Sequence, residues 1–172
     1  AAAMREAADY GLTAADPKPD FARVMARVGQ VIRDIAPHDS VETFTGYGVD
    51  VIPGYARFVD PWTVEITLNA GGTRCLTARH FVVATGSEPV VPRIEGIEQS
   101  GYLTSETLWD AMGERALVPD RFVIVGGGPI GCELAQSFQR LGSQVTIVEQ
   151  SGRLMGQEDA DAAALLRESL EA

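Results

Sequence analysis

Apolar residues in the first third of the chain recur at helical spacing. Residues 1–10 are rich in alanine and predict a helix that ends near Gly11. Asp20 predicts the N-cap of a second helix, because carboxylates accept hydrogen bonds from free N–H groups there. The apolar residues of this second helix form a stripe that predicts a core-facing side: Phe21, Val24, Met25, Val28, Val31, Ile32 and Ile35. Pro37 predicts its end, and a short helix is expected to follow up to residues 47–48.

From Val49 onward the apolar period changes to the alternation that is typical of strands. Residues 54–59, 63–68 and 74–77 predict a small antiparallel meander, with a turn at residues 69–72. The next apolar run, residues 81–84, is continuous rather than alternating and predicts a buried parallel strand.

The second half of the chain predicts a connector and then a βαβ unit. Residues 87–104 lack a clear period, and Thr104 or Ser105 is expected to cap a short helix that carries Leu108 and Trp109. Residues 121–149 read as strand, glycine-rich turn, helix and strand, with Leu134, Ala135, Phe138 and Leu141 as the buried helix face and Gly142 as its end. A last helix is predicted over residues 159–171.

The turn of the predicted βαβ unit carries the spacing GxGxxG. Gly126 permits a tight turn, Gly128 allows backbone to approach a pyrophosphate, and Gly131 allows close packing of helix on strand. The following helix N-terminus offers N–H groups and a partial positive charge. Glu149 ends the second strand, 21 residues after Gly128, where an acid accepts hydrogen bonds from ribose hydroxyls. This context predicts a dinucleotide site; a purely structural strand–turn–helix is the alternative.

The composition of the chain argues against several classes of partner and site. The net charge of −10 argues against nucleic acid and anionic membranes as partners, and no apolar stretch or signal peptide predicts membrane insertion or export. Cys75 and Cys132 form no CxxC pair, so we expect two small buried residues in a reducing, cytoplasmic compartment. His38 and His80 stand in no ligand-spaced cluster, so no metal site is predicted.

Three segments together resemble one family. Residues 82–89 (VVATGSEP), 102–109 (YLTSETLW) and 123–135 (VIVGGGPIGCELA) are similar in sequence and order to the pyridine nucleotide–disulfide oxidoreductases, in particular the mercuric reductase and dihydrolipoamide dehydrogenase branch. The resemblance implies an α/β fold with parts of two Rossmann-like dinucleotide-binding domains, one for FAD and one for NAD, and a small antiparallel β-meander. It implies a partial FAD-binding domain over residues 1–88, a connector over 89–118 and the first half of an NAD(P)-binding domain over 119–172.

The resemblance also assigns cofactor residues. On the FAD side it implies Tyr55, Ala56, Ala84, Thr85 and Gly86, while an ordinary turn after Pro53 is an equal explanation of the neighbouring Gly54. On the NAD side it implies Gly126, Gly128, Pro129, Ile130, Gly131, Glu149 and Gln150.

Glu133 is the catalytic residue that the resemblance implies. Family members place a glutamate in this helix turn, paired with a lysine beside the flavin where hydride arrives; an exposed helix glutamate near the N-terminal dipole is the alternative. Pro129 departs from members that carry a mobile tyrosine gate, and a proline cannot swing as that gate does.

The expected function is that of an FAD-dependent enzyme that accepts hydride from NAD(P)H and passes electrons to a disulfide, a metal ion or another acceptor. NADH is favoured over NADPH because Glu149 would meet a 2′-phosphate with like charge, unless Arg153 turns toward the ribose. The chain shows no second FAD-type glycine motif and no CxxxxC pair, so the 172 residues alone are expected to be inactive. The resemblance implies that the parent enzyme is a homodimer. The alternatives are a non-catalytic dinucleotide-binding module and a structural fragment without ligand affinity.

Overall fold

The computed structural model describes residues 2–171, and the terminal Ala1 and Ala172 lie outside the described residues. The helices are α1 (Ala2–Arg5), α2 (Phe21–Ile35), α3 (Val41–Gly46), α4 (Leu108–Gly113), α5 (Pro129–Leu141) and α6 (Ala160–Glu171). The strands are β1 (Gly54–Asp60), β2 (Thr63–Leu68), β3 (Thr73–Thr77), β4 (Arg121–Val125) and β5 (Gln144–Val148). Short 3-10 helices cover Ala7–Tyr10, Ala36–Asp39 and Ile97–Gln99.

The described residues form two compact units. One contains the residues up to 29 together with those from 91 onward, and the other contains residues 30–90. The first unit therefore holds the β4–α5–β5 segment, and the second holds the strands β1 to β3. The three predicted domain ranges, 1–88, 89–118 and 119–172, stay predictions.

The core of the first unit gathers around α5. Its buried side chains come from three helices: Phe21, Met25, Leu108, Met112 and Phe138. The Phe138 ring lies 4.5 Å from the ring centre of Phe122 on β4 and 6.3 Å from that of Phe21 on α2. The apolar faces of α2 and α5 thus meet over the parallel pair β4–β5, whose register joins Arg121 with Gln144.

The predicted apolar face of α2 is confirmed only in its first half. Asp20 caps the helix as expected, since its Oδ1 accepts a hydrogen bond from the Arg23 N–H at 3.1 Å. Phe21 and Met25 are buried, but Ile32 and Ile35 remain 52% and 53% exposed. Helical spacing shows that a face is apolar, and burial depends on whether another element packs against it.

The second unit contains the predicted meander, and this prediction is confirmed. The antiparallel order is β1–β2–β3, with Gly54 opposite Leu68 and Thr63 opposite Thr77. A Cβ on Gly54 would overlap the backbone oxygen of Thr67, so this position requires glycine for the close approach of the two strands. Cys75, expected to be buried, is exposed because every position of the outer strand β3 is exposed, whereas Cys132 is buried as predicted.

The predicted parallel strand over residues 81–84 is wrong. The segment forms no strand, and the Val82 and Val83 residues are 92% and 70% exposed. A strand needs a neighbour that accepts and donates its backbone hydrogen bonds, and within residues 2–171 no strand pairs with this run. Phe81 does pack, edge to face, against Phe58 at a centroid distance of 4.9 Å.

The remaining helix predictions are confirmed. Helix 1–10 is present over its described part as α1 and a 3-10 turn, and Gly11 follows with φ +74°. The predicted short helix is present as α4, but its N-cap is Thr107, whose side chain accepts no capping hydrogen bond, and so neither Thr104 nor Ser105 caps it. The Thr104 hydroxyl instead accepts from the Thr107 N–H at 3.3 Å in the turn before the helix. Asp159 caps α6. Of the helices described, none has the length and apolar character needed to cross a membrane.

Candidate functional site: the glycine-rich turn

The turn between β4 and α5 brings the glycine-rich segment to the end of β5. Gly126 adopts φ +112°, a conformation that only glycine adopts readily. Its N–H donates to the Val148 carbonyl oxygen at 2.8 Å, which extends the β4–β5 pairing by one residue. Glu149 follows Val148 directly, so the parallel pairing alone places this carboxylate beside the turn.

Gly131 allows α5 to lie directly on the turn. A Cβ at this position would overlap the Gly126 carbonyl oxygen and would also come within 3.4 Å of Ile124 Cγ2. The close packing that the GxGxxG spacing requires of its last glycine is therefore present.

Gly128, in contrast, borders open space. A Cβ built on Gly128 meets no atom within 4 Å. Gly128 is also the N-cap of α5, where no side chain accepts a hydrogen bond from the first helical turn, and Pro129 occupies the first helical position. The backbone N–H groups at this helix end are the groups that bind phosphates in other proteins. The open cradle and uncapped helix end fit a pyrophosphate.

Glu149 is held by backbone groups on both sides. Its Oε1 accepts from the Ser151 N–H at 2.7 Å, and its Oε2 accepts from the Gly127 N–H at 2.5 Å. These hydrogen bonds, that of Ser151 foremost, lower the pKa of Glu149 to about 2, so the side chain is a carboxylate at neutral pH. Each carboxylate oxygen has a further lone pair, which fits a ribose hydroxyl donor. Gln150 is exposed beside it.

The Arg153 side chain binds nearby backbone carbonyl oxygens and not the position of a ribose phosphate. Its Nη2 donates to the carbonyl oxygens of Gly156 and Glu158 at 2.9 and 2.8 Å. The arrangement in which Arg153 turns toward the ribose and tolerates a 2′-phosphate is therefore absent from this structure.

Glu133 lies one turn into α5 and is exposed. It lines a groove of about 240 Å³, together with Pro129, Cys132, Gln136, Met155, Leu166 and Leu170. Burial, with the charge of Glu149, raises the pKa of the Cys132 thiol, which stays protonated and lies 3.5 Å from the Gly127 carbonyl oxygen. The groove thus combines a largely apolar wall with one carboxylate at its edge.

The candidate FAD residues lie in the second unit. Tyr55 and Ala56 are exposed on β1, and Ala84, Thr85 and Gly86 are exposed after the extended run, with Gly86 at φ +71°. On the NAD side, hydrogen bonds join Gly126 to Val148 and Glu149 to Gly127, so the turn and the end of β5 are held together. Among the described residues, no hydrogen bond connects the two FAD-side segments with each other.

Sequence reasoning missed three residues that shape the turn. Ser151 donates its N–H to Glu149, and Met155 donates its N–H to the Gly127 carbonyl oxygen at 2.7 Å. Gly127 itself donates its N–H to Glu149. A signal for Gly127 existed, because it stands in a run of three glycines where the GxGxxG spacing needs only two. The contacts of Ser151 and Met155 use backbone N–H groups, which no side-chain pattern reveals.

Comparison with known proteins adds the following findings. A family model described as pyridine nucleotide-disulphide oxidoreductase matches residues 7–172. The chain is 37% identical over 154 residues to a mercuric reductase from Streptomyces lividans, covering 90% of the chain and 31% of that protein. It is 37% identical over 131 residues to a dihydrolipoyl dehydrogenase from Thermus scotoductus, covering 73% of the chain and 25% of that protein.

A solved structure shows the same fold. The chain matches the HOCl-induced flavoprotein disulfide reductase RclA from Escherichia coli with a TM-score of 0.67 and 28% identity, over 90% of this chain and 34% of that one. The chain therefore spans about a third or less of the length of these relatives.

Proposed function

Because the chain belongs to the pyridine nucleotide–disulphide oxidoreductase family, we propose that it forms part of an FAD-dependent oxidoreductase that accepts hydride from NADH. The observation that carries this proposal is the seat of Glu149 on the glycine-rich turn, beside the open Gly128 and the uncapped N-terminus of α5. A pyrophosphate group and a ribose hydroxyl are the two chemical groups that this pair of features fits.

On the NAD side, each residue has a distinct proposed task. The first turn of α5, including Ile130 and Gly131, donates N–H groups to the pyrophosphate, and Gly128 leaves room for its oxygens. The Glu149 carboxylate accepts from the adenosine ribose. It disfavours NADPH because its pKa of about 2 keeps it negatively charged where a 2′-phosphate would lie. Pro129 and Gln150 flank these groups.

On the flavin side, we propose that Glu133 acts where hydride leaves the nicotinamide. Its exposed carboxylate at the edge of the groove is free to pair with a cation. Tyr55, Ala56, Ala84, Thr85 and Gly86 are proposed to contact FAD, which supplies the two-electron chemistry when bound. All five residues are exposed, and four of them, all but Tyr55, have small side chains or none, which leaves space for a nucleotide. The positive φ of Gly86 and the open space around it are compatible with close approach.

The acceptor is proposed only by class. The named relatives include a mercuric reductase and a dihydrolipoyl dehydrogenase. We propose that this chain's parent enzyme delivers electrons to a disulfide or a metal ion and works as a homodimer. Visible spectroscopy of the protein as its gene encodes it tests the enzyme proposal: NADH should bleach a flavin band. Tight NADH binding by a protein that lacks flavin would favour the non-catalytic dinucleotide-binding module instead.

The coenzyme preference is tested by Glu149→Arg. We expect NADH to bind more weakly and the ratio of NADPH to NADH affinity to rise by at least tenfold, because repulsion of the 2′-phosphate becomes attraction. Glu168→Arg is the matched control, since Glu168 is exposed on α6 and undergoes the same change of charge. Both dissociation constants are measured by calorimetric titration, and an unchanged ratio in Glu149→Arg would remove the proposed role of this residue.

A further inference from the structure

The backbone of Gly127 is held at both of its polar groups by one short segment. Its N–H donates to Glu149 Oε2 at 2.5 Å, and its carbonyl oxygen accepts from the Met155 N–H at 2.7 Å. The segment that supplies both partners, residues 149–158, is here named the brace. Because Gly127 directly precedes the open Gly128, the orientation of its backbone sets the direction of the chain at the proposed pyrophosphate position.

The brace is closed on itself by Arg153. The Arg153 guanidinium donates to the carbonyl oxygens of Gly156 and Glu158, and the Ser151 hydroxyl donates to the Arg153 carbonyl oxygen at 2.9 Å. Ser151 also donates its N–H to Glu149. A chain of hydrogen bonds therefore runs from the Arg153 guanidinium through the loop to both attachments on Gly127.

Two further features show that the brace is forced against the turn. Met155 has φ +51°, and among the described residues it alone adopts a left-handed conformation without being glycine. Such a conformation persists only where the surroundings enforce it, and it is common at functional sites. The Leu154 side chain lies so close that a Cβ on Gly127 would come within 2.5 Å of its Cδ2 and 3.1 Å of Glu149 Oε2, so a larger residue at 127 would require these two side chains to shift while the brace is in place.

We propose that the brace fixes the backbone of Gly127 for dinucleotide binding and that Arg153 is the positioning residue that closes it. This inference rests on the proposed function, because it assigns Arg153 a task in the same site. Arg153 does not touch the dinucleotide in this account. It acts through the loop, and its side chain is exposed, so its removal leaves the core intact.

The test compares Arg153→Gln with Arg167→Gln. Arg167 is an exposed arginine on α6 that pairs with Glu171 at 2.7 Å, so the control removes the same charge and a hydrogen-bonded contact away from the brace. The probe is ADP-ribose, which carries the pyrophosphate and adenosine ribose without the nicotinamide. We expect Arg153→Gln to raise the dissociation constant about tenfold, equivalent to about 1.4 kcal/mol, while Arg167→Gln leaves it unchanged.

A purely structural role of Arg153 predicts a different result. It would lower the unfolding temperature of Arg153→Gln with no change in affinity well below that temperature, and this outcome would overturn the proposal. Arg153 donates to both carbonyl oxygens from a single nitrogen, Nη2. Arg153→Lys keeps the positive charge and one donating nitrogen, so we expect an affinity between those of the wild type and Arg153→Gln. An affinity of Arg153→Lys equal to that of Arg153→Gln would contradict this expectation.

Amide hydrogen exchange without ligand separates this inference from the proposed function. Arg153→Gln should accelerate exchange at the Gly127 and Met155 amides, whose hydrogen bonds the brace makes. If the wild type binds neither ADP-ribose nor NADH, the proposed function fails, and the brace is judged by exchange alone. Unchanged exchange at both amides would overturn it.

Discussion

Two apolar runs of the chain look equally like buried parallel strands, yet only one forms a strand. The run at residues 122–125 lies in β4 and pairs with β5, with Val125 opposite Val148. The run at residues 81–84 is also continuous and apolar, but it forms no strand, and Val82 is 92% exposed. Each run precedes a glycine whose φ is positive, Gly126 and Gly86 respectively.

The difference lies in the partner and not in the run itself. β4 has a second strand 23 residues further along, since Arg121 pairs with Gln144, and the helix between them covers the pair with Phe138. Residues 81–84 have neither a pairing strand nor a covering helix within residues 2–171. A continuous apolar run therefore indicates that a segment is suited to burial in a sheet, but it does not show whether another strand pairs with that segment.

The contrast is sharpest at the level of stability. Phe138→Ala should reduce the free energy of unfolding by about 3–5 kcal/mol, because a ring buried between Phe21 and Phe122 leaves a cavity. Val82→Ala should change it by less than about 0.5 kcal/mol, because the side chain is exposed. Denaturant unfolding of both variants measures the two values, and a cost for Val82→Ala similar to that for Phe138→Ala would show that residues 81–84 are buried after all.

Substitutions of Gly128 and Gly131, at the start of α5, separate the packing role of the glycine-rich turn from its proposed binding role. Gly131→Ala should cost about 1–3 kcal/mol of stability, because its Cβ would overlap the Gly126 carbonyl oxygen. Gly128→Ala adds a Cβ in open space, so stability should hold while NADH affinity falls, because the methyl group occupies the proposed pyrophosphate position. Thermal unfolding and NADH titration of both variants check this, and the account fails if Gly128→Ala binds NADH as the wild type does.

A smaller effect is expected from the pH dependence of Glu149. Its pKa is about 2 in the folded chain and 4.5 as the reference value, so its contribution to stability is complete above about pH 4.5 and is lost as the pH falls toward 2. Glu149→Gln should therefore show a shallower loss of unfolding temperature between these pH values than the wild type. Parallel curves for the two proteins would contradict the hydrogen bonds that Glu149 receives from Gly127 and Ser151.

Local signals in the sequence were sufficient for much of this structure. As predicted, Asp20 caps α2, Gly142 ends α5 at φ +111°, and the alternating residues of the 54–77 segment form the meander. These features depend on hydrogen bonds and periods within a few residues of one another, so the sequence contains them directly.

Features that depend on distant neighbours could not be predicted in the same way. The exposure of Ile32 and Ile35 depends on what packs over α2, and the exposure of Cys75 depends on β3 being an outer strand. At the site, the position of Glu149 followed from the spacing, but its attachment to Gly127 and Ser151 did not. The sequence suggests Arg153 only as a ribose contact, because a basic side chain gives no sign that it will bind nearby carbonyl groups.

We propose above all that the turn at residues 126–131 binds a nicotinamide dinucleotide. The most direct test is titration of the isotope-labelled protein with NADH, followed through its backbone amide resonances. We expect saturable changes in amide chemical shift, with much smaller changes across the meander. The changes should be largest at Gly127, Ile130, Gly131 and Glu149. Absence of saturable shifts at the turn, or shifts confined to residues 54–77, would contradict it.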